Sequence, residues 1–171
     1  NLSEVECSLA GPSRPHDRFA RNDARSRFNA ICADRNLDMD KRVAVNFMGT
    51  EYELTHGAIA IAAVTSCTTA TDPAMMLACG LVAKHARERG LLAKPWVKRV
   101  MAPGSHATQL MLERAGLAQP LAELGFATCG FGCMSCIGNS GPVWPEMHEI
   151  AGDIELTSVL SGNRNFDGRI S

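Results

Sequence analysis

The sequence predicts an α/β protein, a three-layer α/β/α domain built around a mostly parallel sheet. Residues 58–64 form a continuous apolar run that is too short for a good helix, as expected of a strand covered on both faces. Helix signals follow this run directly, and strand and helix signals then alternate along the chain. Such alternation is typical of parallel sheets with helices on both faces.

The beginning of the chain is predicted to lie outside this domain. Residues 1–21 contain two prolines and no apolar period, which indicates a linker or surface arm that leads in from a preceding domain. Residues 22–171 are assigned to the α/β/α domain. Its first element is a short amphipathic helix at 22–36, capped by Asn22 or Asp23.

The next segment predicts a β-hairpin. Residues 43–47 and 52–54 alternate apolar with polar side chains, and Gly49 lies between them as a turn residue. Strands with this alternation usually turn one face to the core and the other to solvent. We therefore expect the hairpin at the edge of a sheet.

The central part of the chain predicts repeated strand and helix units. Thr71 or Asp72 caps a helix that begins near Pro73 and ends at Gly90. The further predicted elements are a strand at 96–102, helices at 105–116 and 120–124, and strands at 126–129 and 155–160. Ligands of such folds bind beyond the carboxyl ends of the strands.

Three chemically important residues follow predicted strands. Cys67 comes after the apolar run, Cys133 after the strand at 126–129, and Arg164 after the last strand. Because the carboxyl ends of parallel strands meet at one edge of a sheet, we expect these residues to converge there.

The composition excludes several classes of protein. Lys and Arg total 17 against 18 Asp and Glu in 171 residues, so no broad positive field attracts nucleic acid or an acidic membrane. No apolar run approaches the roughly 18 residues of a membrane span, and the polar start lacks a secretory signal. Seven cysteines, an odd number, favour a reducing compartment. We expect a soluble, cytoplasmic protein, with the mitochondrial matrix as the alternative.

A C-x-x-C motif, Cys133 to Cys136, is a local indication of a metal centre. Its spacing lets both sulfurs turn toward one ion, but a zinc ribbon needs a second such pair or histidines at ligand spacing. With Cys67 there are three thiolates, one fewer than an ordinary iron-sulfur centre uses. An iron without a protein thiolate keeps open positions and acts as a Lewis acid. From spacing alone, buried or redox-active cysteines remain the main alternative.

Several motifs together carry a family resemblance. They are TSCT at 65–68, KPWVK at 94–98, APGS at 102–105, GCMSCIGNSG at 132–141 and LSGNRNFDGR at 160–169. In this order, over nearly the whole chain, they resemble the motifs of the aconitase superfamily. The resemblance implies that the chain is the third, α/β/α domain of an aconitase, part of a polypeptide several times longer.

The resemblance also implies residue roles. Members of the family hold a [4Fe-4S] cluster through three cysteines, bind substrate carboxylates through two arginines, and place an asparagine beside the cluster. The matching residues are Cys67, Cys133 and Cys136 for the cluster, Arg164 and Arg169 for the substrate, and Asn163 beside the cluster. No catalytic proton carrier is expected in this chain, because in the family those groups lie in other domains.

The activity implied is that of a hydro-lyase of the tricarboxylic acid cycle, which dehydrates and rehydrates citrate to isocitrate through cis-aconitate. Its partners would be a hydroxy-polycarboxylate and the other domains of the polypeptide. Thr69 and Asp72 stand where the family usually has asparagines. This departure leaves open a relative such as a 2-methylcitrate dehydratase or a phosphinomethylmalate isomerase.

Two alternatives come from other classes. An RNA-binding role of the cluster-free form has little support, because the formal net charge is −1 and no arginine-rich arm is present. A purely structural zinc domain would be recognised by metal analysis. Of the remaining cysteines, Cys79 and Cys129 are predicted to be core residues, and Cys7 and Cys32 to be inert.

Overall fold

Small elements precede the central sheet. The structure is a computed structural model that describes residues 1–12, 14, 16–65 and 72–162. It begins with a 3-10 helix (Leu2–Glu4), antiparallel strands β1 (Ser8–Ala10) and β2 (Arg18–Ala20), a second 3-10 helix (Arg21–Asp23) and helix α1 (Ala24–Asp34). The sequence does not predict the first hairpin, because three-residue strands are too short to show an apolar period. The boundary between a linker and a domain after residue 21 stays a prediction.

The hairpin predicted after α1 is confirmed, but it does not form the edge of the central sheet. Strands β3 (Val43–Phe47) and β4 (Thr50–Leu54) make a separate two-stranded antiparallel sheet. Both turn residues have positive φ, 52° at Met48 and 81° at Gly49, the conformation that suits a two-residue hairpin turn. The hairpin packs on the core through Leu54 instead of extending the ladder.

The central sheet is parallel, which confirms the α/β class. Strand β5 (Ile59–Thr65) lies between β6 (Lys98–Ala102) and β7 (Thr157–Leu160). Helix α2 (Pro73–Glu88) lies between β5 and β6 in sequence, as the crossover of a parallel pair requires. The other helices are α3 (His106–Arg114), α4 (Ala118–Glu123), a 3-10 helix (Ser135–Ile137) and α5 (Pro145–Glu149). In the described ranges no helix has the length and apolarity to cross a membrane.

Two hydrophobic clusters pack the other elements against the sheet. One joins α2, α3 and α4 to β6 and includes Met76, Met101 and Leu112. The other joins the β3–β4 hairpin and α5 to β5 and includes Leu54 and Met147. Burial of each such side chain contributes about 1.5–3 kcal/mol. The clusters therefore hold the sheet rigidly between the helices and the hairpin.

The strand predicted at 126–129 is not formed. Only Thr128 bridges to Met101, in parallel, and the N–H of Cys129 donates to the Met101 carbonyl at 3.0 Å. The prediction that Cys129 is a core residue is also wrong, because its side chain is exposed. Its thiol donates to the same carbonyl at 3.1 Å. The apolar pattern overestimated the strand because a contact with the edge of a sheet need not continue as a ladder.

The last strand begins two residues later than predicted, because the backbone of Glu155 is used elsewhere. Its N–H donates to His56 Nδ1 at 2.8 Å, and its carbonyl accepts from Gly57 N at 2.8 Å. His56 is buried, so it is more than the simple turn residue that its position suggests. Pairing with β5 starts at Thr157, whose N–H donates to the Ala58 carbonyl at 2.9 Å.

Candidate metal centre

The carboxyl ends of the parallel strands lie along one edge of the sheet. β5 ends at Thr65, β6 at Ala102 and β7 at Leu160. Because β5 is central, with β6 on one side and β7 on the other, this edge contains the switch point where α/β folds bind ligands. In sequence, Cys67 follows Thr65 by two residues and Asn163 follows Leu160 by three.

The ends of β5 and β7 are joined through one side chain. The Thr65 N–H donates to Ser161 Oγ at 2.8 Å, and the same hydroxyl donates to the Thr65 carbonyl at 2.8 Å. The Ser161 N–H donates to the Ala63 carbonyl at 3.1 Å. The two chain segments that continue toward Cys67 and Asn163 therefore leave the sheet from adjoining points.

The C-x-x-C loop reaches the same edge from β6. The Gly132 N–H donates to the carbonyl of Pro103, the residue directly after β6, at 2.8 Å. A positive φ of 80° at Gly132 turns the chain there, a conformation that glycine adopts without strain. The 3-10 helix that follows contacts β5, the central strand of the sheet.

Cys133 and Cys136 lie one helical turn apart. The Ile137 N–H donates to the Cys133 carbonyl at 3.0 Å, which closes this turn. Residues three apart in such a turn lie on the same side of it, so both sulfurs can face one centre. Cys136 is 7% exposed, whereas Cys133 is exposed. Soft sulfur donors of this kind suit iron-sulfur centres or zinc.

A buried hydroxyl adds support for a ligand at this edge. Thr65 is 3% exposed, and its Oγ1 has no hydrogen-bond partner in the part of the chain that the structure describes. Buried polar groups are usually satisfied, so an unpaired one often marks a missing ligand or ion. Thr65 Oγ1 fits the neighbourhood of a cluster, whose sulfur atoms accept hydrogen bonds.

Lys98 holds the far end of the C-x-x-C loop. Its Nζ donates to the carbonyls of Ser140 and Pro142, each at 2.6 Å. Burial lowers the pKa of Lys98, and the nearby Cys129 sulfur opposes this shift. The loop is thus fixed at both ends, by Pro103 after β6 and by Lys98 at the start of β6.

Helix α2 begins at this side of β5, and Asp72 caps it. The Asp72 carboxylate accepts from Ala74 N at 2.9 Å, and Pro73 occupies the first turn. The predicted cap and first helical position are therefore confirmed. An asparagine would form the same cap, so the departure at Asp72 keeps the helix start and adds a negative charge.

The other predicted site residues lie outside the described residues. They are Cys67, Thr69, Asn163, Arg164 and Arg169. Among residues 1–12, 14, 16–65 and 72–162, no three His, Cys, Asp or Glu side chains are grouped to hold a metal ion. The assignments of three cluster ligands and two substrate arginines accordingly stay predictions.

The sequence does not reveal the roles of Ser161, which joins two strand ends at this edge, and of Lys98, which holds the loop from the start of β6. Both lie inside the motifs at 160–169 and 94–98, but their contacts are with distant residues. Signals for them exist: Lys98 is a charged residue at the start of a largely apolar strand, and Ser161 follows the last strand directly. Cys79, predicted to be a core residue, is half-buried on α2.

Comparison with known proteins identifies one family. The sequence model described as the aconitase family (aconitate hydratase) matches residues 1–171. The chain is 47% identical over 180 residues to aconitate hydratase A of Deinococcus radiodurans, and 47% identical over 176 residues to that of Rickettsia felis. Each alignment covers 100% of this chain and 20% of the relative. Aconitate hydratase A of Thermus thermophilus is 44% identical, again over 100% of the chain and 20% of its own length. The chain thus spans about a fifth of the length of these relatives.

Proposed function

The chain belongs to the aconitase family, and from this premise we propose that it forms the cluster-binding part of an aconitase-type hydro-lyase. The proposed reaction is the reversible dehydration and rehydration of citrate to isocitrate through cis-aconitate. The main support is the arrangement of the strand ends, where the loop of Cys133 and Cys136 is bonded to Pro103 after β6 and Ser161 joins the ends of β5 and β7. The segments that carry Cys67 and Arg164 continue from those two strand ends.

Three cysteines are proposed to hold a [4Fe-4S] cluster: Cys67, Cys133 and Cys136. The turn that carries two of them, with the Cys136 side chain buried, fits a sulfur-ligated centre. When bound, the cluster supplies an iron with an open position that acts as a Lewis acid toward a hydroxyl and a carboxylate. The cysteines bind iron as thiolates.

Arg164 and Arg169 are proposed to orient the substrate by its carboxylates, with Asn163 beside the cluster. Arginine presents a planar fork that pairs bidentately with a carboxylate, and two such forks fix the orientation of a polycarboxylate. A formal net charge of −1 supplies no general attraction for an anion, so the anion must be met by local groups. We assign no proton carrier within the chain and expect that group from other parts of the polypeptide.

A related enzyme with a different hydroxy acid is the second candidate. Asp72 favours it, because this residue places a carboxylate at the start of α2 where the family usually has an amide. A negative charge there changes the polar surroundings of the site. A 2-methylcitrate dehydratase or a phosphinomethylmalate isomerase would fit such a change.

The proposal is tested on the complete polypeptide, reconstituted with iron and sulfide without oxygen. Citrate, cis-aconitate and 2-methylcitrate are then assayed separately, with and without removal of the iron by a chelator. Iron-dependent turnover of citrate and cis-aconitate supports the proposal, and a higher kcat/KM on 2-methylcitrate favours the second candidate. Zinc in place of iron, or a fully loaded cluster that converts none of these acids, contradicts it.

A further inference from the structure

The hydroxyl of Ser161 replaces a missing piece of the β-ladder between β5 and β7. Backbone pairing of these strands runs from Ile59 with Thr157 to Ala63 with Leu160. Beyond it, both the N–H and the carbonyl of Thr65 are bonded by Ser161 Oγ, which acts as acceptor and donor at 2.8 Å each.

This bridge has a physical consequence for the backbone of Thr65. In a parallel ladder the N–H and C=O of one residue point to the same neighbouring strand. Thr65 is 3% exposed, so without Ser161 both groups would face a buried edge unpaired. A serine at the exit of β7 allows the chain to leave the sheet while β5 stays fully bonded.

In sequence, the bridge comes directly before the two segments that contain the predicted site residues. Thr65 precedes Cys67 by two residues, and Ser161 precedes Asn163 by two and Arg164 by three. We propose that Ser161 is a positioning residue that fixes the segment of the cluster ligand relative to the segment of the substrate-binding arginine. This inference rests on the proposed function.

The other end of β7 supplies a matched control. Thr157 makes the same kind of side-chain bond, from Oγ1 to the carbonyl of Gly57 at 2.9 Å. It lies at the amino edge, away from the strand end that continues to Asn163. Thr157 N also bonds to Ala58 O at 2.9 Å, so the register of β7 is held there independently of Ser161. Loss of the Ser161 hydroxyl should consequently alter the backbone where the chain leaves β7, and the register of β7 with β5 should stay unchanged.

The experiment compares Ser161→Ala, Ser161→Thr and Thr157→Val in the complete, reconstituted polypeptide. We expect Ser161→Ala to lower kcat/KM for citrate about tenfold, because groups displaced from the productive geometry stabilise the transition state less well. Iron and sulfide content should stay at the wild-type level. Ser161→Thr, which keeps the hydroxyl, should recover most of the activity, and Thr157→Val should change kcat/KM less than about twofold.

A second readout does not depend on activity. In the cluster-free protein, hydrogen exchange of the Thr65 amide should accelerate in Ser161→Ala and stay slow in Thr157→Val. The inference is overturned if Ser161→Ala exchanges and turns over like wild type, or if both variants lower kcat/KM equally. It is also overturned if Ser161→Thr restores slow exchange but not activity. A wild-type protein that binds no cluster or shows no turnover would instead contradict the proposed function. The two failures can be told apart, because hydrogen exchange of the Thr65 amide reports the bridge whether or not a cluster is bound.

Discussion

The two ends of the parallel strands, called here the amino edge and the carboxyl edge of the sheet, are held in different ways. At the amino edge, buried His56 accepts from the backbone of Glu155, and the carboxylate of Glu155 pairs with Arg35 at 2.5 Å. At the carboxyl edge, the serine hydroxyl of Ser161 and the N–H of Gly132 connect the strand ends to one another and to the loop of the C-x-x-C motif. One edge ties structural elements together, and the other ties together the segments that carry reactive residues.

Stability and activity should therefore depend on different ends of the parallel strands. Contacts at the amino edge join α1 and the β4–β5 turn to the start of β7, so their loss should lower the free energy of unfolding. If the proposed function is right, contacts at the carboxyl edge position the segments of the predicted site residues, so their loss should lower activity per folded molecule. Substitutions in the two regions test this division.

We expect the strongest effect on activity at the two arginines that follow β7 in the sequence. Replacing Arg164 or Arg169 by Lys keeps the charge and loses the bidentate fork, so kcat/KM should fall roughly 10- to 100-fold, equivalent to about 1.5–3 kcal/mol. Cluster content and Tm should stay near wild type. Arg35→Lys at the amino edge is the matched control and should keep full kcat/KM. Equal activity of all three variants on citrate and cis-aconitate would remove the two arginines from the site.

The next effect is at the amino edge. His56→Leu leaves the Glu155 N–H without its acceptor in a buried turn, so the free energy of unfolding should fall by about 1–3 kcal/mol. Activity per folded, cluster-loaded molecule should not change. His85→Leu, at an exposed position of α2, should shift stability by less than about 0.5 kcal/mol. Denaturant unfolding measures the stability of both variants. If fully folded His56→Leu lost activity, this would contradict the assignment of the amino edge to stability alone.

A smaller effect is expected at Lys98, the first residue of β6, whose side chain holds the far end of the C-x-x-C loop. Lys98→Met removes two hydrogen bonds to loop carbonyls, so stability should fall by about 1 kcal/mol and the cluster should be lost faster in air. Lys94→Met, which removes an exposed ammonium near the Trp96 ring, is the control. Visible absorbance followed over time gives the rate of cluster loss. Identical rates in the two variants would show that Lys98 does not support the loop.

The smallest effect is a pH dependence at the amino edge. Burial raises the pKa of the Cys32 thiol, the carboxylate of Glu155 adds to this, and Arg35 opposes it. Above the ordinary thiol pKa the unfolded chain releases this proton and the folded chain keeps it. The folded state then binds more protons, so stability should fall as pH rises, by at most about 1.4 kcal/mol per pH unit. Unfolding of Cys32→Ala should lack this slope, whereas exposed Cys7→Ala should retain it.

Elements with strong local signals could be predicted from the sequence. The apolar run became β5, and the signals at Asp72 and Pro73 placed the start of α2 correctly, because capping depends on neighbouring residues alone. The strand at 126–129 was wrong because strand pairing depends on a distant partner, here Met101, which a local pattern does not reveal.

The candidate site divides in the same way. Cys133 and Cys136 could be proposed from their spacing and Cys67 from its place after the apolar run, and the family resemblance added the roles of Arg164, Arg169 and Asn163. The bond from Ser161 to Thr65 spans 96 residues, and the bonds from Lys98 to the loop span more than 40. No local pattern in a single sequence records contacts of this separation, so the residues that hold the site together emerged only from the fold.

We propose that the C-x-x-C loop holds a [4Fe-4S] cluster, and the variant Cys136→Ser tests this ligand assignment most directly. The complete polypeptide is reconstituted without oxygen, and iron and acid-labile sulfide are measured with the visible absorbance. Cys79→Ser, a half-buried cysteine on α2, is the matched control. We expect Cys136→Ser to lose the broad visible absorption and most of the bound sulfide, and Cys79→Ser to keep both. Equal cluster content in the two variants would contradict the assignment.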